Sequence, residues 1–171
     1  MNLSKYKFCP ARRSIFLLLA ICLFSFNGCS SEEKAEQKIT EPEVLDLMNK
    51  IEVAAKNKDV DALVANISEK AQIKLTITAS GQTQSFTLNR DQYRDFSKKA
   101  LEAASNYTYS RQNTQVQISP DGKTAVVTDE VTESVTVNGQ VSRSVATETA
   151  TVGRENGKLV IQYLEANGKQ V

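Results

Sequence analysis

No histidine and no tryptophan occur in the 171 residues of this chain. Without imidazole there is no Ser-His-Asp triad and no His-Glu-x-x-His zinc helix. Cysteine is scarce as well. Cys9, Cys22 and Cys29 are the three present, and none follows position 29. The remaining chain therefore has no internal disulfide and no thiolate metal site. Neither Gly-x-Gly-x-x-Gly nor a Walker-type lysine loop is present, which removes the common phosphate cradles. No Asp-x-Asp-x-Asp-Gly calcium loop is present either. No metal and no cofactor are expected.

Acid is missing from the N-terminus, which carries Lys5, Lys7, Arg12 and Arg13. The run Ile15 to Phe26, IFLLLAICLFSF, is nearly all apolar. It is well short of the about 20 residues that a bilayer-spanning helix needs. A basic stretch, a short apolar stretch and small residues at its end make a secretory signal peptide over 1–28. An uncleaved signal anchor is the rival reading. The apolar run ends in Gly28-Cys29 and gives way at once to SSEEKAEQKIT. Gly28-Cys29 resembles the lipobox of bacterial lipoproteins, although Phe26 and Asn27 stand where that family usually has Leu and a small residue. The resemblance implies cleavage before Cys29, a diacylglycerol on its sulfur and an acyl chain such as palmitate on the new amino terminus. Two or more acyl chains hold a protein stably at a bilayer where one does not. Ser30 resembles the family's outer-membrane sorting pattern, which implies an outer membrane facing the periplasm if the cell is Gram-negative. A plain secretory signal with a chance cysteine is the other reading.

Cleavage would take four positive charges and no negative one, turning a formal charge of +1 into −3. Such a domain offers no general attraction to nucleic acid. Residues 29–40 are read as the lipidated cysteine and a polar tether that cannot bury enough surface to order itself. Residues 41–171 are read as one domain.

Apolar residues at Val44, Leu47, Met48, Ile51, Ala54 and Ala55 mark a first helix, with Thr40 and Glu43 spaced as a capping box. Asp59 is the expected N-cap of a short second helix. AQIKLTIT alternates, Ser80-Gly81 turns, and Phe86 and Leu88 resume the apolar face, so a hairpin is expected with Leu75 opposite Phe86. Asn89 and Gln92 cap a third helix whose buried stripe is Tyr93, Phe96, Ala100, Leu101 and Ala104. After Ser105 come four strands joined by Pro120-Asp121-Gly122, Asn138-Gly139 and Asn156-Gly157. Apolar parity changes between Tyr109 and Val116, which predicts a bulge. The fold class is thus α+β: three helices with an intervening β-hairpin, packed on a long, curved antiparallel sheet. This order of elements resembles the nuclear transport factor 2-like superfamily, which implies a cone-shaped sheet with a cavity.

The Asn138-Gly139 turn sets a register that places Asp129 opposite Glu148. Continued through Asn156-Gly157, it places Glu148 opposite Glu165. Three carboxylates in one row repel one another unless a proton or a cation such as Arg111 compensates. Members of the resembled superfamily with isomerase activity use a cavity carboxylate as base, so Asp129, Glu148 and Glu165 are the catalytic candidates. Tyr107, Tyr109 and Tyr163 are the ligand-binding candidates. A hydrated row at the rim of the cone is the alternative. The expectation is a lipid-anchored cell-envelope binding or adaptor module without catalysis, and a small isomerase- or hydrolase-type cavity enzyme is the alternative. Expected partners are the membrane through Cys29, an envelope protein, a peptide or a small apolar ligand, and a second copy through the Thr-rich face bearing Val126, Val141 and Val145. A Cys29→Ser variant is expected to lose fatty-acid labelling and leave the membrane fraction; undiminished labelling would refute the anchor.

Overall fold

Among the described residues, reciprocal capping starts two of three helices. In a computed structural model, which describes residues 37–171, Glu43 accepts from both the backbone N–H and the hydroxyl of Thr40, at 3.0 and 2.8 Å. Helix α1 then runs Glu41–Lys56, with Pro42 in its first turn. Asn89 and Gln92 exchange two hydrogen bonds of 2.9 Å and open α3, Arg90–Ala103. Between them, the Asp59 side chain caps the short α2, Val60–Val64. The expected signal peptide over 1–28 and the expected lipidation site at Cys29 lie outside the described residues. Ile39, read from sequence as part of the tether, is buried and donates its N–H to the Gly122 carbonyl at 2.8 Å. The packed chain therefore includes residues ahead of Glu41.

Among the described residues, six strands form one sheet: β1 Ile67–Ala79, β2 Gln82–Leu88, β3 Asn106–Ile118, β4 Thr124–Val137, β5 Gln140–Glu155 and β6 Lys158–Gln170. Their spatial order is β2-β1-β6-β5-β4-β3. The hairpin and the meander pair as the sequence predicts, with Leu75 opposite Phe86 and Asp129 opposite Glu148. One join differs, because β1 lies parallel to β6. The sheet is accordingly mixed, and helix α3, between β2 and β3, carries the chain across to its far edge.

Two irregularities decide which side chains face inward. In β3 the register shifts between Gln112 and Gln115, where Asn113 takes φ +55°. Asparagine tolerates that left-handed conformation better than most residues. The bulge puts Tyr107, Tyr109 and Arg111 on the same face as Val116 and Ile118, as the parity change predicts. In β6 a second shift follows Ile161, leaving Gln162 as the extra residue. The Gln162 side chain lies over Gly153, where a Cβ would meet it at 2.5 Å. Glycine at position 153 makes the room that this second bulge needs.

The inner face is packed at one end and open at the other. Along β4, Ala125, Val127, Asp129 and Val131 are buried, while Glu133 and Val135 are only half-buried. Val44, Leu47, Met48 and Ile51 of α1 join Ile73, Val127 and Val152 in the core at the packed end. Helix α3 behaves differently. None of its residues is fully buried, and Phe96, expected in the core, is 39% exposed. Its apolar stripe faces a cavity rather than a filled interior.

Candidate functional site

The cavity has a volume of about 290 Å³. Met48 and Ile51 of α1, Leu75 of β1, Phe96 and Leu101 of α3, and Leu164 of β6 supply apolar wall. The polar wall comes from β3, β4, β5 and α3: Tyr107, Tyr109, Arg111, Glu133, Glu148 and Tyr93. Alternation along each strand aims these side chains inward, and the β3 bulge keeps Arg111 on that face.

Arg111 organises the deep end. Its Nε stands 2.7 Å from Asp129 Oδ2, with both side chains almost wholly buried. Nη1 donates to the Met48 carbonyl at 2.6 Å, and Nη2 donates to the Tyr109 hydroxyl at 2.9 Å. The Nε–Oδ2 approach is short but badly aligned for a hydrogen bond, so the contact is an ion pair first. Burial raises the Asp129 carboxyl above its ordinary value, against the pull of Arg111. Asp129 sits opposite the β3 bulge, where the regular ladder is interrupted. Removing either partner would strand a buried charge.

Glu148 lies across from Asp129 and lines the cavity. Desolvation pushes its carboxyl up to about 7, the neighbouring Asp129 and Glu133 push the same way, and Arg111 opposes them. A carboxylate poised near neutrality can both take and return a proton. Tyr93, Tyr107 and Tyr109 are held above the ordinary phenol value, chiefly by burial, so all three stay hydroxyl donors. Tyr107 donates to Glu133. Tyr109 accepts from Arg111, which leaves its own O–H available and polarised.

The expected row of three carboxylates is corrected to two. Gln162 displaces the register by one, so Glu148 pairs with Ala166 and Glu165 pairs with Thr149. Glu165 and Tyr163 then face away from the cavity. There the Tyr163 hydroxyl donates to Glu165 at 2.7 Å and holds its carboxyl below the usual range, while Lys74 lies 5.5 Å from the ring centre. Of the candidate tyrosines, Tyr107 and Tyr109 line the cavity and Tyr163 does not. Glu133 and Tyr93 were not singled out as site residues. Glu133 shares the parity of Asp129 and stands opposite Tyr109, a signal readable once the β3 bulge is placed. Tyr93 reads as a core residue on periodicity alone.

No family model matches the chain, and no curated protein sequence matches it. Solved structures do. A provisionally assigned scytalone dehydratase from Novosphingobium aromaticivorans superposes with a TM-score of 0.59 at 12% identity, covering 73% of this chain and 80% of its own. Hexachlorocyclohexane dehydrochlorinase LinA-type3 from Novosphingobium barchaimii LL02 gives 0.59 at 11%, covering 74% and 84%. A cystatin-like-fold protein of unknown function from Nostoc punctiforme PCC 73102 gives 0.56 at 14%, covering 79% and 96%. At these identities the likeness establishes the fold, a nuclear transport factor 2- or cystatin-like cone. The expectation of a non-catalytic adaptor is corrected on two findings. The acid lies in a cavity beside further polar groups rather than at a hydrated rim. And structures sharing this fold include proteins named as enzymes.

Glu148 also links pH to stability. Its folded value of about 7 exceeds its ordinary 4.5, so between those limits the native state holds a proton that the unfolded chain releases. Stability attributable to this group therefore rises as pH falls from about 7 toward 4.5, and is least above 7. Glu148→Gln, which mimics the protonated form, should stabilise the protein by about 1 to 3 kcal/mol near pH 8 and by little near pH 4. Thermal unfolding at the two pH values measures the difference; equal effects at both would show that the carboxyl is not desolvated.

Proposed function

We propose that this domain is a small-cavity enzyme that moves a proton at carbon, with Glu148 as the base. The observation that carries this reading is a carboxyl inside an apolar cavity with its pKa at about 7. In the reaction, the Glu148 carboxylate takes the proton and the C–H electron pair enters a new double bond. If the adjacent carbon already belongs to a double bond, its π pair moves on to the far atom, which takes the proton back from Glu148, and the outcome is isomerisation. If a group on the adjacent carbon departs with its bonding pair, the outcome is elimination. Tyr109 is placed to donate a hydrogen bond where negative charge develops, with Arg111 polarising it from behind. Asp129 is a positioning residue, since it holds Arg111 and does not line the cavity. Dehydratase and dehydrochlorinase, the names of two structural neighbours, both denote eliminations. That supports the class and leaves the substrate open.

The substrate is small and largely apolar, matching the predominance of aliphatic and aromatic wall. Acylation of Cys29 would suspend the enzyme from a membrane through the residues between Cys29 and the packed Ile39, in the outer membrane facing the periplasm if the cell is Gram-negative.

A nitrobenzisoxazole tests the base without knowledge of the natural substrate, because its ring opens once a base removes its single reactive C–H proton. The protein should accelerate ring opening along a pH profile with its midpoint near 7. Glu148→Gln should slow it by about 10²- to 10⁴-fold. A rate no faster than that of an equal concentration of acetate, or one indifferent to Glu148→Gln, would remove the proposal.

A further inference from the structure

The charges lining the cavity do not balance. Glu133 and Glu148 are its two carboxylates, and Arg111 is its one cation. Arg111 is already committed at every nitrogen, to Asp129, to the Met48 carbonyl and to the Tyr109 hydroxyl. Glu133 and Glu148 therefore share a largely apolar cavity with no cation of their own among the described residues. Such an arrangement is costly when empty and repels an anionic ligand.

Aromatic rings stand in the same wall. Tyr93, Phe96, Tyr107 and Tyr109 all line the cavity. Ring faces and carboxylates together are what a desolvated organic cation requires: a counterion on one side and negative quadrupole faces on the others. Tyr107 donates to one oxygen of Glu133, which fixes that carboxylate in place. Along β4, Glu133 lies on the half-buried stretch toward the mouth, while Asp129, the partner of Glu148, lies on the buried stretch. The Val131–Ala146 pair separates the two acidic levels. Four residues of strand span about 13 Å, and both glutamate side chains line the cavity that runs along them.

We propose that the substrate of this site is a small organic ammonium ion, with its charged nitrogen at Glu133 among the tyrosine rings and its reacting carbon at Glu148. The proposal rests on the reading of Glu148 as a base and adds the chemical class of what it acts on. The cavity sets the size. A volume of about 290 Å³ lies at the small end of the range of ligand pockets. Charge also couples to catalysis. The groups facing Glu148 are Asp129 and Glu133 from β4, Arg111 and Tyr109 from β3 and Tyr93 from α3. An ammonium ion arriving near these carboxylates favours the ionised form of Glu148. The substrate thus converts its own catalyst to the basic form.

Three probes of one size separate the possibilities: benzylammonium, neutral benzyl alcohol and anionic benzoate. Affinities for the full chain are read by calorimetry near pH 8. Benzylammonium should bind at least about tenfold more tightly than benzyl alcohol, and benzoate should not bind. Glu133→Gln should erase the preference for the cation over the alcohol, with unfolding curves confirming that the variant is folded. Equal or tighter binding of benzyl alcohol, binding of benzoate, or no binding of benzylammonium at millimolar concentration would overturn the proposal, and the wild-type comparison alone decides it. The neutral benzisoxazole keeps the two claims separate. Turnover of it without a cation preference sinks this inference and spares the base. A cation preference without turnover leaves an ammonium-binding cavity and sinks the enzyme.

Discussion

A carboxyl partly withdrawn from water is the constraint around which this domain is arranged. Glu148 would ionise at ordinary acid pH in solvent, and the cavity moves that event to about 7. Its surroundings explain how the fold tolerates this. Arg111 opposes the shift and is held by an ion pair, a helix carbonyl and a phenol. Burying an ion pair costs more in desolvation than it returns unless further hydrogen bonds satisfy it. The bonds to Met48 and Tyr109 supply part of that satisfaction, and the same bonds tie α1 and β3 to the polar wall. Chemistry and architecture share one guanidinium.

The rest of the fold makes space for this group. Helix α1 fills the packed end of the cone, and α3 leaves its apolar stripe facing a void. Two one-residue irregularities then assign side chains to faces. The bulge at Asn113 lets Arg111 point inward beside Tyr107 and Tyr109. The bulge at Gln162 turns Glu165 and Tyr163 outward, and it depends on Gly153 carrying no side chain. A third carboxylate beside Asp129 and Glu148 would have added repulsion with no further cation to offset it. The second bulge relieves the sheet of that charge. Fold neighbours share this cone at 11–12% identity, so the fold is kept while nearly all of the sequence differs.

Local signals were legible because each is written in adjacent residues. Thr40 with Glu43 and Asn89 with Gln92 announced helix starts, and the Asn-Gly turns fixed the register that sets Asp129 against Glu148. The β3 bulge was legible as a break in parity. The β6 bulge was not, because Ile161 and Tyr163 keep an apolar alternation across it. Its mark was Gly153 on the neighbouring strand, a residue with meaning only after pairing is known. The parallel join of β1 to β6 and the void beneath α3 are long-range facts that no window of sequence contains. Periodicity identified Tyr93 and Phe96 as facing inward and could not say that the interior there is open. Glu133 was passed over for the same reason, since its partners Tyr109 and Tyr107 reach it only through the bulged register.

Burial that raises the Glu148 carboxyl to about 7 costs stability above that pH. The account stands on the ionisation of one side chain. Carbon-13 NMR titration of the side-chain carboxyls, with the Glu148 resonance assigned by its loss in Glu148→Gln, reads that ionisation directly. A midpoint near 7 is the predicted result. A midpoint near the ordinary 4.5 would contradict the account, for it would mean that water reaches Glu148 freely and that the cavity does nothing to its acidity.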